Sequence, residues 1–342
     1  MVGVVLALGG ALGFSFMNVF VRKGVRRDDP DNGLLITMLI NLGIFALLAI
    51  IIVITGAAPV FSVAGGFWFV ASGLSATFLG RLTLFGGIRN IGAARAAAIK
   101  NATPLVTVTL ALTFLGERLS LIDGGGVLLV LIGLAALITE SLRSAPGPLG
   151  GGIEAHLVDP IESAFESEAL AEAGLWDRTR SLAGRTVAMI TEPSNRRVVL
   201  GVSFSILAAL FFGSGHAFRK VGMDLMPNAV IGALIGTATA LTTYLLSEAV
   251  RGDVASVIRN SLTSVRPWFW AAGVAGAFGQ LAFFAALAFA PVSHVAVVAG
   301  SETVLTIIIA AILAGRTEAI TRRVVLPAIL VFAGAALIGV AQ

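Results

Sequence analysis

The chain has 342 residues, 57% of them hydrophobic and 12% charged, with a formal net charge of +4. A soluble domain carries about 25% charged residues, and the apolar residues here fall in runs of about 20, the length that crosses a hydrocarbon core. Composition therefore excludes a soluble domain, run length excludes the short alternating strands of a β-barrel, and the absence of cysteine excludes disulfides, thiolate metal sites and cysteine nucleophiles.

The first apolar run covers about Val2 to Val21 and ends in Arg22, Lys23, Arg26 and Arg27. It has no charged leader region and is read as a retained helix, not a signal peptide. The DDPDNG that follows is a turn signal. The second run is Gly33 to Thr55, the third Phe67 to Ile88, the fourth Ala93 to Leu115 and the fifth Gly126 to Thr139. From Ser141 to Arg197 the composition turns polar and acidic, and SAPGPLGGG opens it as a flexible linker. Within it, Ile161 to Leu175 has the spacing of an amphipathic helix. The runs resume at Val198 to Phe218, Ala229 to Val250, Pro267 to Phe289, Ser293 to Ala314 and Val324 to Val340. The expected fold is an all-α polytopic membrane protein of ten transmembrane helices. Residues 1–140 form a first five-helix unit, 141–197 a polar acidic loop insert, and 198–342 a second unit.

The two units are related in sequence. At an offset of 200, Trp68, Phe69, Gly73, Phe78 and Ala96 fall on Trp268, Phe269, Gly273, Phe278 and Ala296. At 198, Gly3, Phe14, Phe20 and Gly24 fall on Gly201, Phe212, Phe218 and Gly222, and Asn18 stands opposite His216. Five helices is an odd number, so a second copy enters the membrane upside down. Inverted repeats of this kind serve alternating access, with a site near the midplane.

Lys and Arg flank the runs as membrane anchors do, so the positive balance does not point to nucleic acid. Three cations (Arg118, Arg219 and Lys220) fall in loops on the side of the termini, against eighteen on the other side. The positive-inside rule places that other side, with the long central loop, in the cytoplasm of a plasma-membrane protein.

The fourth run ends in P-L-x₁₀-G-E, here Pro104, Leu105, Gly116 and Glu117. With two five-helix repeats, this motif resembles the drug/metabolite transporter superfamily, EamA type. The resemblance covers nearly the whole chain outside the insert. It implies transport of small metabolites, often export of amino acids or related compounds, driven by an ion gradient or by exchange. It also implies cytoplasmic termini, opposite to the charge count.

A cation inside an apolar helix faces a cavity or a partner. Lys100 and Glu302 occupy nearly equivalent places in the fourth and ninth runs. Two readings stand. One is a structural ion pair between the units. The other is a split site, with Lys100 for a carboxylate and Glu302 for an amine or a coupling proton. The candidate substrate-binding residues are Lys100, Asn101, Glu302, Asn18, His216, Arg81 and Gln280. His216 titrates near neutral pH, which suits proton coupling, and a core histidine bonded to another helix is the bland reading. Arg81 pairs with Glu302 or lines the cavity. Pro104 kinks its helix and frees backbone carbonyls near Lys100. Gly9-x₃-Gly13 and Gly232-x₃-Gly236 read as close helix packing. Glu117 caps a helix end or pairs with Arg118.

The first function is a secondary active exporter of a small polar metabolite, using a proton or sodium gradient, as a monomer or homodimer. Alternatives are proton antiport of cationic amines or drugs, exchange of phosphorylated metabolites, and a receptor or scaffold acting through the insert. An intramembrane enzyme lacks its machinery, since no HExxH or GxSxG occurs. No cofactor or metal is expected.

Overall fold

In a bilayer each backbone N–H and C=O must be satisfied within its own segment, so long apolar runs become helices. The computed structural model describes residues 1–24, 33–56, 61–91, 96, 99–144, 193–252, 254–263, 267–314 and 322–340. All regular elements among them are helical. α1 is Val2–Gly24 and α2 Leu34–Ile54. α3, Val63–Ser72, passes through a π-helical stretch, Gly73–Leu79, into α4, Gly80–Ile91. α5 is Thr103–Thr113 and α6 Leu121–Ser144. The second half holds α7 (Pro193–Leu225), α8 (Ala229–Arg251), α9 (Val254–Thr263), α10 (Pro267–Phe289), α11 (Val292–Ala299), α12 (Glu302–Ala314) and α13 (Arg322–Val340).

Among the described residues, 6 helices are long and apolar enough to cross a membrane. They correspond to the first, second, third, sixth, seventh and eighth runs. The other four runs appear as shorter apolar helices: Thr103–Thr113, Leu121–Ala136, Val292–Thr306 and Leu326–Ile338. The fourth and ninth runs each carry a break, at 101–102 and at 300–301. The protein is a multi-pass membrane protein.

Helix ends differ from expectation where charge was taken as the membrane boundary. α7 runs past Phe218 to Leu225. Lys220 pairs with Asp224 at 2.7 Å, one turn on, which lets the helix continue. Arg219 and Lys220, counted above as loop cations, therefore lie within a helix. α9 was not anticipated. Most of the insert, including the Ile161 to Leu175 segment, lies outside the described residues.

Helices of one half pack chiefly on helices of the other. α1 lies along α10, α7 along α3 and α4, and α6 along α13. Without a hydrophobic drive between helices in lipid, such contacts rest on close van der Waals fit, hence small residues. A methyl group on Gly13 would meet Gly279 Cα at 2.6 Å, and one on Gly126 would meet the Gly334 carbonyl at 2.9 Å. Several contacts come in pairs that follow the sequence offsets. The Phe269 ring lies on Gly24, and the Phe69 ring on Gly222. Phe20 and Trp268 rings sit 5.8 Å apart, Trp68 and Phe218 rings 5.4 Å apart. A methyl on Gly3 would meet Ala290 Cβ at 2.6 Å; one on Gly201 would meet Asn90 Cβ at 2.9 Å. Gly232 also packs on Phe69, a methyl on Gly73 would meet Gly236 Cα at 2.9 Å, and Gly9 makes only ordinary contacts.

The largest buried cluster joins Phe45, Phe69, Phe283, Phe284, Leu287 and Met226 to the apolar side chains of α11. α11 itself is buried along its whole length.

Candidate functional site

The site forms where two helices break. In a continuous helix the Lys100 carbonyl would accept the N–H of residue 104, but Pro104 has none. The Thr103 hydroxyl donates to that carbonyl instead, at 2.6 Å. Residues 101–102 turn, and α5 restarts with Pro104 in its first turn. The second break lies between α11 and α12, at Gly300 and Ser301. There Gly300 N–H is shared between the carbonyls of Ala296 and Val297 at 3.1 and 3.0 Å, a tightened last turn. Glu302 is thus in the first turn of α12, where the helix dipole favours a negative charge.

These breaks bring Lys100 and Glu302 together. Lys100 Nζ lies 3.6 Å from Glu302 Oε1, with the side chains 18% and 20% exposed. Asn18 Nδ2 donates to the same Oε1 at 2.7 Å. Ser15, one turn earlier on α1, donates to the backbone carbonyl of Glu302 at 2.9 Å and to that of Ala11 at 2.7 Å. Lys100 Nζ also sits 5.5 Å from the Phe212 ring centroid of α7. Three helical regions and both halves of the chain therefore meet on one carboxylate.

His216 lies one turn beyond Phe212 on α7. Its ring packs on Phe283 at 4.5 Å, and its buried Nδ1 has no hydrogen-bond partner among the described residues. His216 and Asn18 stand opposite each other at the sequence offset of 198, yet Asn18 bonds Glu302 and His216 packs on Phe283. Arg81 is half-buried in α4, just after the π-helical stretch, and Glu302 takes Lys100 rather than Arg81 as its cation. Asn101 is half-buried in the turn between Lys100 and α5. Gln280 donates to Thr237 Oγ1 at 3.2 Å and to the Ala233 carbonyl at 3.5 Å, joining α10 to α8.

The close of the Pro104 motif has a clear task. Gly116 adopts φ +67°, a left-handed turn that suits glycine. The turn aims Glu117 at the N-terminus of α11. Its Oε1 accepts Val292 N–H at 2.7 Å; its Oε2 accepts Ser293 N–H at 3.1 Å and the Ser293 hydroxyl at 2.6 Å. Glu117 caps a helix of the other half and does not pair with Arg118. Nearby, His294 Nε2 is 3.4 Å from Asp123 Oδ1.

Sequence reasoning missed Ser15, Phe212 and Arg219. Arg219 had a visible signal: the repeat register extends to Gly222, three residues past it.

Residues 1–139 match the model of the EamA-like transporter family. Over those residues the chain is similar to an EamA-like transporter. This agrees with the resemblance read from the motif, an EamA-type permease of the drug/metabolite transporter superfamily, and that family implies a membrane transporter rather than an enzyme. No curated protein matches the chain. Among solved structures, 26 chains match. One, described as "Crystal structure of protein", is 15% identical, with a TM-score of 0.61 over 99% of this chain and 96% of that one. At that identity the likeness concerns the fold alone.

Proposed function

We propose that this EamA-type transporter is a secondary active exporter of a small polar metabolite, an amino acid or related compound. It works by alternating access, as two inverted five-helix repeats rock about the cleft that holds Lys100 and Glu302. The paired contacts that follow the repeat offsets support the duplication. Helices broken near the midplane, with charged groups at the broken ends, are the arrangement from which such transporters build their sites.

The single observation that carries the reading is the Lys100–Glu302 pair held by Asn18 at the two breaks. Each side chain keeps about a fifth of its surface accessible, so a ligand can reach the pair. A half-buried pair is a natural switch. Its Coulomb gain barely exceeds the desolvation of its members, so a substrate offering each charge a new partner opens it at low cost. Lys100 then takes a carboxylate and Glu302 an amine or a coupling proton. Exchange of the pair for substrate loosens α1 from α12 at Asn18, whose bond is to the Glu302 carboxylate. The coupling ion is a proton or sodium, the unit a monomer or homodimer, and the location the plasma membrane with the long loop in the cytoplasm.

The test is radiolabelled substrate flux in sealed proteoliposomes for the wild type, Lys100→Ala and Glu302→Gln. Flux is expected to vanish in both variants while thermal unfolding stays cooperative. Flux unchanged in both removes the site assignment.

A further inference from the structure

The face of α7 that carries Phe212 and His216 continues to Arg219. Arg219 is only 7% exposed. Its Nε donates to Ser72 Oγ of α3 at 3.0 Å. Its guanidinium carbon lies 5.1 Å from the Phe284 centroid and 5.7 Å from the Phe283 centroid. Phe283 is also the ring on which His216 packs. Arg219 therefore reaches toward the Lys100–Glu302 cleft along α7, through His216, which shares Phe283 with it, and Phe212, which sits beside Lys100.

An arginine this deep in a membrane protein needs a counter-charge. The described residues offer none: Arg219 has Ser72 and two rings, and no ion pair. Arg81 of α4 makes matters worse, because it is close enough to repel Arg219 and has no carboxylate partner among the described residues either. The nearby described acids are committed. Glu302 pairs with Lys100, Asp224 with Lys220 and Glu248 with Arg251, while Asp123 accepts from Ser120 and Glu117 caps α11. Glu302 is thus matched by Lys100, and Arg81 and Arg219 have no carboxylate partner among the described residues. Aromatic faces and one hydroxyl hold a cation in place without neutralising it. The single bond from Nε leaves the terminal nitrogens of Arg219, the fork that grips oxyanions, without protein acceptors.

We infer that the transported substrate carries net negative charge, and that Arg219, seconded by Arg81, receives its oxyanion group, a carboxylate or a phosphate. This rests on the reading that the adjoining Lys100–Glu302 cleft is the transport site. Zwitterions and cations leave the two guanidinium groups unbalanced and bind poorly. The aromatic pair Phe283 and Phe284 fixes the fork, so the contact is directional.

The experiment is thermal unfolding of the purified full-length protein with five probes: succinate, glutamate, glycerol 3-phosphate, alanine and choline. A ligand that binds only the folded state raises its unfolding temperature in proportion to the logarithm of its concentration over Kd. One or more of the first three probes is expected to stabilise the protein, and alanine and choline are not. Succinate or glutamate alone identifies a carboxylate, glycerol 3-phosphate alone a phosphate. Arg219→Gln and Arg81→Gln are each expected to weaken that binding by roughly tenfold to a hundredfold, the loss of one charge-assisted contact. Arg219→Lys, which keeps the cation beside Phe284, replaces Arg219→Gln if the latter does not fold. It is expected to bind more weakly than wild type because it lacks the fork. Stabilisation by alanine or choline, by none of the oxyanions, or undiminished in the Arg219 and Arg81 variants overturns the inference. The transport reading fails differently: by intact flux in Lys100→Ala and Glu302→Gln, whatever the probes do.

Discussion

Replacing Glu117 by alanine tests how the two halves are joined, apart from any substrate. Glu117 closes the first half's fourth run, yet its carboxylate accepts three hydrogen bonds from the start of α11, at 2.7, 3.1 and 2.6 Å. A hydrogen bond to a charged group is worth about 1.5–3 kcal/mol, and loss of a helix N-cap costs about 0.5–2 kcal/mol. The three bonds do not add, because the Ser293 hydroxyl can turn to a new acceptor. α11 is buried along its length, so water cannot readily replace the lost acceptor. Glu117→Ala is therefore expected to cost about 2–4 kcal/mol, seen as a drop of several degrees in the unfolding temperature of detergent-purified protein. Glu117→Gln keeps one carbonyl oxygen and should lose about half as much. Ser293→Ala, which removes only the hydroxyl bond, should cost about 1 kcal/mol. The graded order Ala, Gln, then Ser293→Ala is the signature of a cap. A change within about 0.5 kcal/mol for Glu117→Ala, the range of ordinary surface substitutions, would refute the reasoning.

Three other outcomes follow from the same geometry. Thr103→Val leaves the Lys100 carbonyl without its donor and should destabilise by about 1–3 kcal/mol; adding Pro104→Ala, which returns a backbone N–H, should recover most of that in the same unfolding assay. Gly24→Ala and Gly222→Ala both drive a methyl into a buried phenylalanine ring, and each should cost about 1–3 kcal/mol; a full cost at one and none at the other would break the equivalence of the two halves. Gln280→Leu strands Thr237, whereas Gln280→Leu with Thr237→Val removes both partners, so the double variant should be the more stable of the two and should keep its flux, in line with Gln280 bonding to α8 rather than to the cleft.

The helices were legible because the bilayer imposes them, and the paired contacts between the halves because tight packing is position-specific. Trp68 with Phe69 and Trp268 with Phe269 could be aligned since a bulky ring over a glycine tolerates few substitutions; Phe69 on Gly222 and Phe269 on Gly24 are that constraint in three dimensions. The kink at Pro104 followed from its missing donor, though that Thr103 would supply the replacement did not. The second break had no proline to mark it. Gly300 and Ser301 resemble any small pair in a membrane helix, and only hydrogen bonding distinguishes them.

The site was partly legible for a related reason. A charge within an apolar run is conspicuous, so Lys100, Glu302 and Arg81 stood out, while polar residues that serve a backbone carbonyl, such as Ser15, did not. A mid-helix amide such as Gln280 draws attention by its polarity alone, and here it bonds to a neighbouring helix. Arg219 was overlooked because a charge near the end of an apolar run is ordinarily read as the membrane boundary. The helix does not stop there, since Lys220 and Asp224 carry it another turn, and that turn places Arg219 inside the protein instead of at its surface. Two adjacent cations thus have opposite fates on one helix. Lys220 points to an acid and a backbone carbonyl at 3.2 Å, and Arg219, about 100° around the helix, points to two phenylalanines and no acid. On the proposal of an anionic substrate, the charge that sequence counting assigned to membrane topology is one kept for a ligand.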